Sequence, residues 1–132
     1  MSIYTSRYSN PELRKGIYTT VKISVGIPKR GLKYSLDGEI SDLMPFGLRG
    51  EQYDNDKELF KQAYFALLDK AGVTKIKAQL AQFQAKGRDV VLLCYENIRK
   101  GENHWCHRTL FAEWWQQNTG EVISELPDPK WN

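Results

Sequence analysis

The sequence has no apolar run near the roughly 20 residues that a membrane-spanning helix needs, and no signal-peptide-like apolar segment at its amino terminus. These absences argue against a helical membrane protein and predict an intracellular, cytoplasmic protein that contacts no membrane. Cysteine is scarce, with two residues in 132, so a disulfide framework like that of small secreted domains is not expected. In a reducing compartment the two cysteines are expected to be thiols, metal ligands or a redox pair. Internal repeats and low-complexity tracts are also absent from the sequence.

The composition is that of an ordinary globular domain, with 41% hydrophobic and 27% charged residues. At this length we expect one domain, residues 1–132, ending in a polar tail at 127–132. Charge is uneven along the chain, because residues 1–36 contain seven basic side chains and one acidic side chain. This imbalance predicts an anionic partner, either a small molecule or nucleic acid, and the alternative is a basic surface that serves solubility alone.

Hydrophobic periodicity predicts that strands and helices alternate along most of the chain. Apolar residues at helical spacing predict three helices, which begin near residues 55, 74 and 105. Residues 28–53 contain several glycines and no clear periodicity, and they are expected to form a long irregular segment. The order of elements predicts an α/β fold, a single layered domain with a small, mainly parallel sheet flanked by helices. The predicted strands are Ile3–Thr5, Ile17–Ile27, Val90–Tyr95 and Glu121–Leu126.

One segment of the sequence gathers the chemically reactive residues. The buried strand predicted at Val90–Tyr95 contains Cys94 and is followed by Glu96, and residues 106–108, Cys-His-Arg, begin the last predicted helix. In open α/β sheets the carboxyl ends of strands and the amino ends of helices face the same crevice, where ligands bind. We therefore expect these residues to share one crevice.

This pattern, Leu-Leu-Cys-Tyr-Glu at a strand end and Cys-His-Arg at a helix start, resembles the domain-of-unknown-function family numbered 488. Residues 3–10, 26–30, 65–80 and 111–127 are also similar to that family, so the resemblance touches most of the chain. Longer members often have Asp-x-Arg at the end of the second strand, where this chain has Ser-Val-Gly, so that carboxylate is absent or lies elsewhere. The resemblance implies an α/β fold. It implies no reaction, because the family has no assigned activity.

The first interpretation of the crevice is an anion site. Backbone N–H groups at the amino end of a helix attract negative charge, and Arg108 adds a guanidinium suited to phosphate or carboxylate. Arg7 and Arg30 follow the first two predicted strands and are expected to reach the same ligand. Trp105 is a candidate for stacking on a base. The further stacking candidates are Tyr4, Tyr8, Tyr18, Tyr34 and Tyr53, and Glu96 and Glu113 are the acidic residues with which Arg108 would pair if it held no ligand.

The second interpretation is thiol chemistry. A cysteine in the first turn of a helix has a lowered pKa, so Cys106 beside His107 is a candidate nucleophile. Glu96 would orient the histidine or act as a general acid or base. Within this class the alternative is a redox couple of Cys94 and Cys106, although Cys94 is also typical of a small residue in a buried strand.

The third interpretation is a metal site. Cysteine and histidine are ligands that zinc prefers, and Cys94, His104, Cys106 and His107 offer four of them. Their spacing matches no familiar structural zinc pattern, and adjacent residues of a regular helix rarely point at one ion. We therefore predict neither a metal nor a cofactor.

Together these interpretations predict an intracellular α/β enzyme of hydrolase or transferase type that acts on a phosphate-bearing ligand, such as a nucleotide or a nucleic-acid component. The alternatives are a non-catalytic nucleotide or nucleic-acid binding domain and a thiol redox or sensor protein. The predicted catalytic residues are Cys106, His107 and Glu96, and the predicted ligand-binding residues are Arg108, Arg7, Arg30, Trp105 and Cys94.

Overall fold

A five-stranded parallel sheet is the centre of the fold in the computed structural model, which describes residues 2–28, 31–48, 50–54, 56–95 and 106–129. The strands are β1 (Ile3–Arg7), β2 (Thr19–Lys22), β3 (Gly38–Glu39), β4 (Val90–Cys94) and β5 (Ser124–Glu125). They lie in the order β3-β2-β4-β1-β5 and all their pairings are parallel. The predicted α/β class with a small parallel sheet is confirmed.

Helices cover one face of this sheet. Within the described residues the α-helices are α1 (Glu51–Asp54), α2 (Lys57–Ala71), α3 (Val73–Gln84) and α4 (His107–Thr119). Apolar side chains of α2, α3 and α4 pack with Val90 and Leu92 of β4, on what we call the helix face. Val91 and Leu93 lie on the opposite face, because side chains alternate along a strand, and there they pack with Tyr8 and other tyrosines. We call this second face the tyrosine face. None of the described helices has the length and apolar character needed to cross a membrane.

Several element boundaries differ from the predicted ones. β2 is shorter than the predicted strand Ile17–Ile27, because Ile17 is exposed and the chain bends at residues 24–26. β3 lies inside the segment predicted to be irregular, since two residues that include a glycine show no alternation to detect. β5 is likewise confined to two residues of the predicted strand Glu121–Leu126. The start predicted for the last helix, Trp105, lies outside the described residues.

The connections between strands place a crevice at the carboxyl ends of β2 and β4. The chain leaves β2 toward β3 at one edge of the sheet, whereas it leaves β4 through α4 toward β5 at the other edge. Neighbouring strands whose connections diverge in this way form a topological switch point, and ligands of open α/β sheets bind outside the carboxyl ends of strands at such points. The residues that follow β2 and β4 are therefore the first to inspect for a functional site.

Candidate functional site

Cys94 and Cys106 meet at the carboxyl end of β4. Cys94 is the last residue of that strand and Cys106 is the N-cap of α4, and both side chains are buried. Their Sγ atoms are bonded to each other as a disulfide, while their Cα atoms lie 7.2 Å apart. Disulfides usually hold the Cα atoms about 4.4–6.8 Å apart, so this backbone spacing is wide for one. The structure thus brings these two predicted site residues together.

His107 presents one ring nitrogen to Cys106 and uses the other to hold its position. Nε2 lies 2.7 Å from the carbonyl oxygen of Ile23, directly after β2. Because a carbonyl oxygen only accepts, Nε2 carries the proton, and the neutral ring has an unprotonated Nδ1. This Nδ1 lies 3.6 Å from the Sγ of Cys106. Burial lowers the pKa of His107 to about 4, so the ring is neutral near neutral pH.

Arg108 is buried in an ion pair instead of facing a ligand. Its side chain is 1% exposed, with Nη2 donating to Oε2 of Glu125 at 2.8 Å and Nε donating to Oε1 at 3.0 Å. The remaining nitrogen, Nη1, donates to the Sγ of Cys94 at 3.2 Å. The ligand-binding role of Arg108 stays a prediction, and in this structure the guanidinium is paired with Glu125. Because β5 places Glu125 beside the first turn of α4, the acidic partner is neither of the two considered from the sequence.

Arg7 also has structural partners in place of the predicted ligand. It ends β1, where its backbone pairs with Cys94 of β4. Its side chain is mostly buried, forms an ion pair with Asp128, and donates from Nη1 to the Oγ of Ser9 at 2.8 Å. The guanidinium therefore links the end of β1 to the segment after β5, and its ligand-binding role stays a prediction. The other predicted site residues, Glu96, Arg30 and Trp105, lie outside the described residues.

A cavity of about 430 Å³ opens on the tyrosine face, where β1 and β4 end. We call it the tyrosine cavity, because Tyr8, Tyr34 and Tyr95 line it together with the cationic side chains of Arg14 and Lys33. Small-molecule sites typically have volumes of about 300–1,000 Å³, so the cavity is large enough for a ligand of nucleotide size. The remaining lining residues are Ser9, Asn10, Pro28, Gly31 and Leu32.

Hydrogen bonds hold the tyrosine rings of this cavity in place. The hydroxyl of Tyr34 donates to the backbone carbonyl of Tyr8 at 2.6 Å. Ser24 Oγ donates to the carbonyl of Gly26 at 2.7 Å, so the 2.6 Å contact between Tyr8 and Ser24 has the tyrosine as donor. Tyr95 meets Tyr8 edge to face, with ring centroids 5.2 Å apart. Burial raises the pKa of Tyr8 to about 12 and raises the pKa of Tyr34 as well, so both rings stay neutral.

Arg14 and Lys33 bring uncompensated positive charge to the tyrosine cavity. Neither forms an ion pair with another described residue, and no acidic side chain is among the described residues that line the cavity. A second cavity of about 260 Å³, between α2, α3 and the segment after β3, differs in this respect. Its Asp42 and Lys75 pair with each other at 3.2 Å. Of the two, the tyrosine cavity is the better match to an anion.

The cysteine pair and the tyrosine cavity lie on opposite sides of the end of β4. Cys94 continues the helix face of this strand, whereas Tyr95 turns to the tyrosine face and contacts Tyr8. The sequence predicted one crevice for all site residues, and the structure separates the two cysteines from the tyrosine cavity. The cavity escaped prediction because its lining comes from three separate segments. The signals that pointed toward it were the basic residues 1–36 and the tyrosines among the stacking candidates.

The chain matches no protein-family model, no curated protein and no solved structure. The resemblance to family 488 therefore stays a prediction. Function has to be argued from the geometry of the two sites.

Proposed function

We propose that the protein binds a phosphate-bearing ligand with a flat ring, a nucleotide or a nucleotide unit of nucleic acid, in the tyrosine cavity. The observation that carries the proposal is one cavity lined by three tyrosine rings and by two cations that form no ion pair with another described residue. The cavity lies outside the carboxyl ends of β1 and β4, and Pro28 from the segment after β2 also lines it, so it lies at the edge of the sheet where open α/β sheets bind ligands.

The tyrosine rings support recognition of a flat ring. Tyr95 is 45% exposed, so much of its ring is accessible to a ligand, and it meets Tyr8 in an edge-to-face contact. Tyr34 is fixed by its hydrogen bond to the backbone of Tyr8. A base that stacks on an aromatic side chain gains about 1–3 kcal/mol, and fixed rings lose little conformational freedom on binding. The cavity is therefore prepared for a base before the ligand arrives.

The cations support recognition of a phosphate. Arg14 lies in the last turn of a short 3-10 helix, Pro11–Lys15, and Lys33 lies in the segment between β2 and β3, so the two approach the cavity from different elements. A guanidinium binds phosphate with two parallel hydrogen bonds, and an ammonium adds a point charge. Since no described carboxylate lines the cavity, a phosphate there would meet no opposing charge among these residues.

The catalytic part of the hypothesis stays a prediction. It is supported by the 3.6 Å contact between Sγ of Cys106 and the unprotonated Nδ1 of His107, a spacing suited to proton transfer from the thiol. Both side chains are buried on the helix face, however, and neither lines the tyrosine cavity. The geometry supports ligand binding more directly than it supports catalysis, so the non-catalytic binding domain has the stronger case.

Isothermal titration of the full chain with adenosine 5′-monophosphate, adenosine and inorganic phosphate tests the proposal. Arg14→Ala should weaken binding of the nucleotide about tenfold or more, because a hydrogen bond to a charged group contributes about 1.5–3 kcal/mol. Lys15→Ala is the matched control, since Lys15 is the next residue of the same 3-10 helix but pairs with Glu12 and does not line the cavity. The affinity of Lys15→Ala for the nucleotide should stay within about twofold of that of wild type.

Tyr95→Ala separates the base from the phosphate. It should weaken binding of the nucleotide and of adenosine by about fivefold or more, because a stacking partner is lost. Its effect on inorganic phosphate should be small. A short single-stranded oligonucleotide in the same assay distinguishes a nucleic-acid ligand from a free nucleotide by its higher affinity. The proposal fails if wild-type protein binds neither adenosine 5′-monophosphate nor the oligonucleotide. It also fails if both Arg14→Ala and Tyr95→Ala bind the nucleotide as tightly as wild type does.

A further inference from the structure

We infer that Cys94, Cys106 and His107 form a binding site for a thiophilic divalent metal ion of the Zn²⁺ type. Two cysteine sulfurs, which become thiols on reduction, and one imidazole nitrogen of these residues lie within 4.8 Å of one another, and all three side chains are buried. Sulfur and imidazole ligands are those that select Zn²⁺ over harder cations. This inference goes beyond the proposed ligand binding and does not rest on it, because it concerns the helix face of β4.

The spacing of two of the ligand atoms already fits an ion. Tetrahedral Zn²⁺ with bonds of about 2.3 Å to sulfur and about 2.0–2.1 Å to nitrogen separates these ligands by about 3.6 Å. The observed distance between Sγ of Cys106 and Nδ1 of His107 is 3.6 Å. The two sulfurs are bonded to each other, so a two-electron reduction by an added thiol reductant has to break this bond first. They would then rotate apart to about 3.8 Å, the spacing of two thiolates on one tetrahedral ion.

The backbone explains how adjacent residues point at one ion. Cys106 is the N-cap of α4, with extended φ and ψ of −136° and 151°, and His107 is the first helical residue. The absence of a metal was predicted for Cys106 and His107 as adjacent residues of one regular helix. Because the chain direction changes between them, the side chains of Cys106 and His107 converge instead of diverging. The objection to a metal site therefore does not hold in this structure.

The second ring nitrogen of His107 has the partner that metal-bound histidines usually have. Its Nε2 donates to the carbonyl oxygen of Ile23 at 2.7 Å, which fixes the tautomer and aims Nδ1 at the sulfurs. Histidines that bind metals commonly donate their other N–H to a backbone carbonyl or a carboxylate. Arg108 similarly donates to the Sγ of Cys94, as outer hydrogen bonds to a metal-bound thiolate do.

Charge balance also favours a divalent ion over a bare thiolate pair. The guanidinium of Arg108 is neutralised by Glu125, so it leaves no net positive charge for two buried thiolates. One Zn²⁺ balances them, and its binding releases two thiol protons to the buffer while the histidine stays neutral. Three protein ligands leave one position of a tetrahedral ion for water or another ligand. With the ion bound, Cys106 is a ligand and not a nucleophile.

Metal binding by the full chain, reduced and freed of metal with a chelator, tests the inference. One equivalent of Co²⁺ should give the visible bands of a tetrahedral ion together with thiolate charge-transfer absorption, and Zn²⁺ should displace it. Cys94→Ser, Cys106→Ser and His107→Gln should each weaken Zn²⁺ binding by about 100-fold or more, which exceeds the 10–100-fold typical of changes to outer partners. Zn²⁺ should raise the Tm of wild type and not that of these variants.

Ser24→Ala is the matched control, because it removes another buried polar group near the end of β2 and leaves all three ligands in place. It should bind Zn²⁺ as wild type does. Circular dichroism identifies any ligand variant that fails to fold, and Co²⁺ spectra of the folded variants decide the result. The inference is overturned if reduced wild type binds no Zn²⁺, or if it only re-forms a disulfide between Cys94 and Cys106 in air. It is also overturned if the ligand variants bind as tightly as wild type.

Discussion

Removal of the guanidinium of Arg108 should destabilise the protein strongly, because this side chain is buried in an ion pair. The side chain is 1% exposed and donates from Nε and Nη2 to the carboxylate of Glu125 and from Nη1 to Cys94. Arg108→Met keeps much of the apolar volume of the side chain, so it separates the loss of charge from the loss of packing. The carboxylate of Glu125 is then left without its cation.

The loss in the free energy of unfolding depends on how well water can solvate the carboxylate of Glu125 once its cation is removed. Removing one partner of a buried ion pair typically costs about 3–5 kcal/mol, since the other charge remains without compensation. Glu125 is 24% exposed and keeps the hydrogen bond from Oγ1 of Thr5 at 2.7 Å, so part of its charge stays solvated. We therefore expect a loss near the lower end, about 3 kcal/mol in the free energy of unfolding.

Urea unfolding followed by tryptophan fluorescence measures this loss, because Trp114 and Trp115 of α4 are buried. Reductant and chelator keep the cysteine pair in one state. Lys75→Met is the matched control: its partner Asp42 is 23% exposed, much as Glu125 is, but Lys75 itself is 62% exposed. An exposed pair contributes about 0–1 kcal/mol. The reasoning is refuted if Arg108→Met loses no more stability than the control does.

Three further predictions concern the thiols, pH and one glycine. In reduced, metal-free protein Cys106 should be alkylated faster than Cys94, because it lies at the amino end of α4 beside an acceptor nitrogen; mass spectrometry showing equal or slower labelling would remove the nucleophile hypothesis. In the same metal-free state, the pKa of His107 is about 4. The unfolded state, with a pKa of about 6.5, takes up its proton first as pH falls, so stability should drop between these values by on the order of 3 kcal/mol. Urea titrations should show a flatter profile for His107→Gln, and an unchanged slope would contradict the assignment. A Cβ at Gly38 would lie 2.7 Å from the ring of Phe83, so Gly38→Ala should lower the free energy of unfolding by about 1–3 kcal/mol. Phe83→Leu should recover part of this loss in the double variant, and no recovery in urea unfolding would contradict the proposed clash.

The main elements of the fold are predictable because their sequence patterns are long and locally consistent. The apolar run that forms β4 and the helical spacing of apolar residues in α2 and α4 each span at least five residues. β3 and β5 contain two residues each, and they exist only because a neighbouring strand offers backbone hydrogen bonds. Tertiary pairing of this kind leaves no periodic signal in the sequence.

The candidate site was predictable only in part for a related reason. The convergence of Cys94 with Cys106 follows from the rule that strand ends and helix starts share an edge of the sheet. The partner of His107 is a backbone carbonyl, that of Ile23, and any residue type at that position supplies one. The partner of Arg108 is Glu125, which reaches it only because β5 lies beside β1. A charged residue without an evident partner in the sequence can therefore be assigned to a ligand only after the topology shows which residues lie beside it.

Amide chemical shifts of isotope-labelled protein, recorded during titration with adenosine 5′-monophosphate, show directly whether the tyrosine cavity binds a nucleotide. Binding in the tyrosine cavity predicts saturable shifts centred on Tyr8, Tyr34 and Tyr95 and extending to Arg14. The amide shifts of residues around the second cavity, beside Asp42, should not change. Shifts centred on the second cavity, or no saturable shifts at any nucleotide concentration reached, would contradict it.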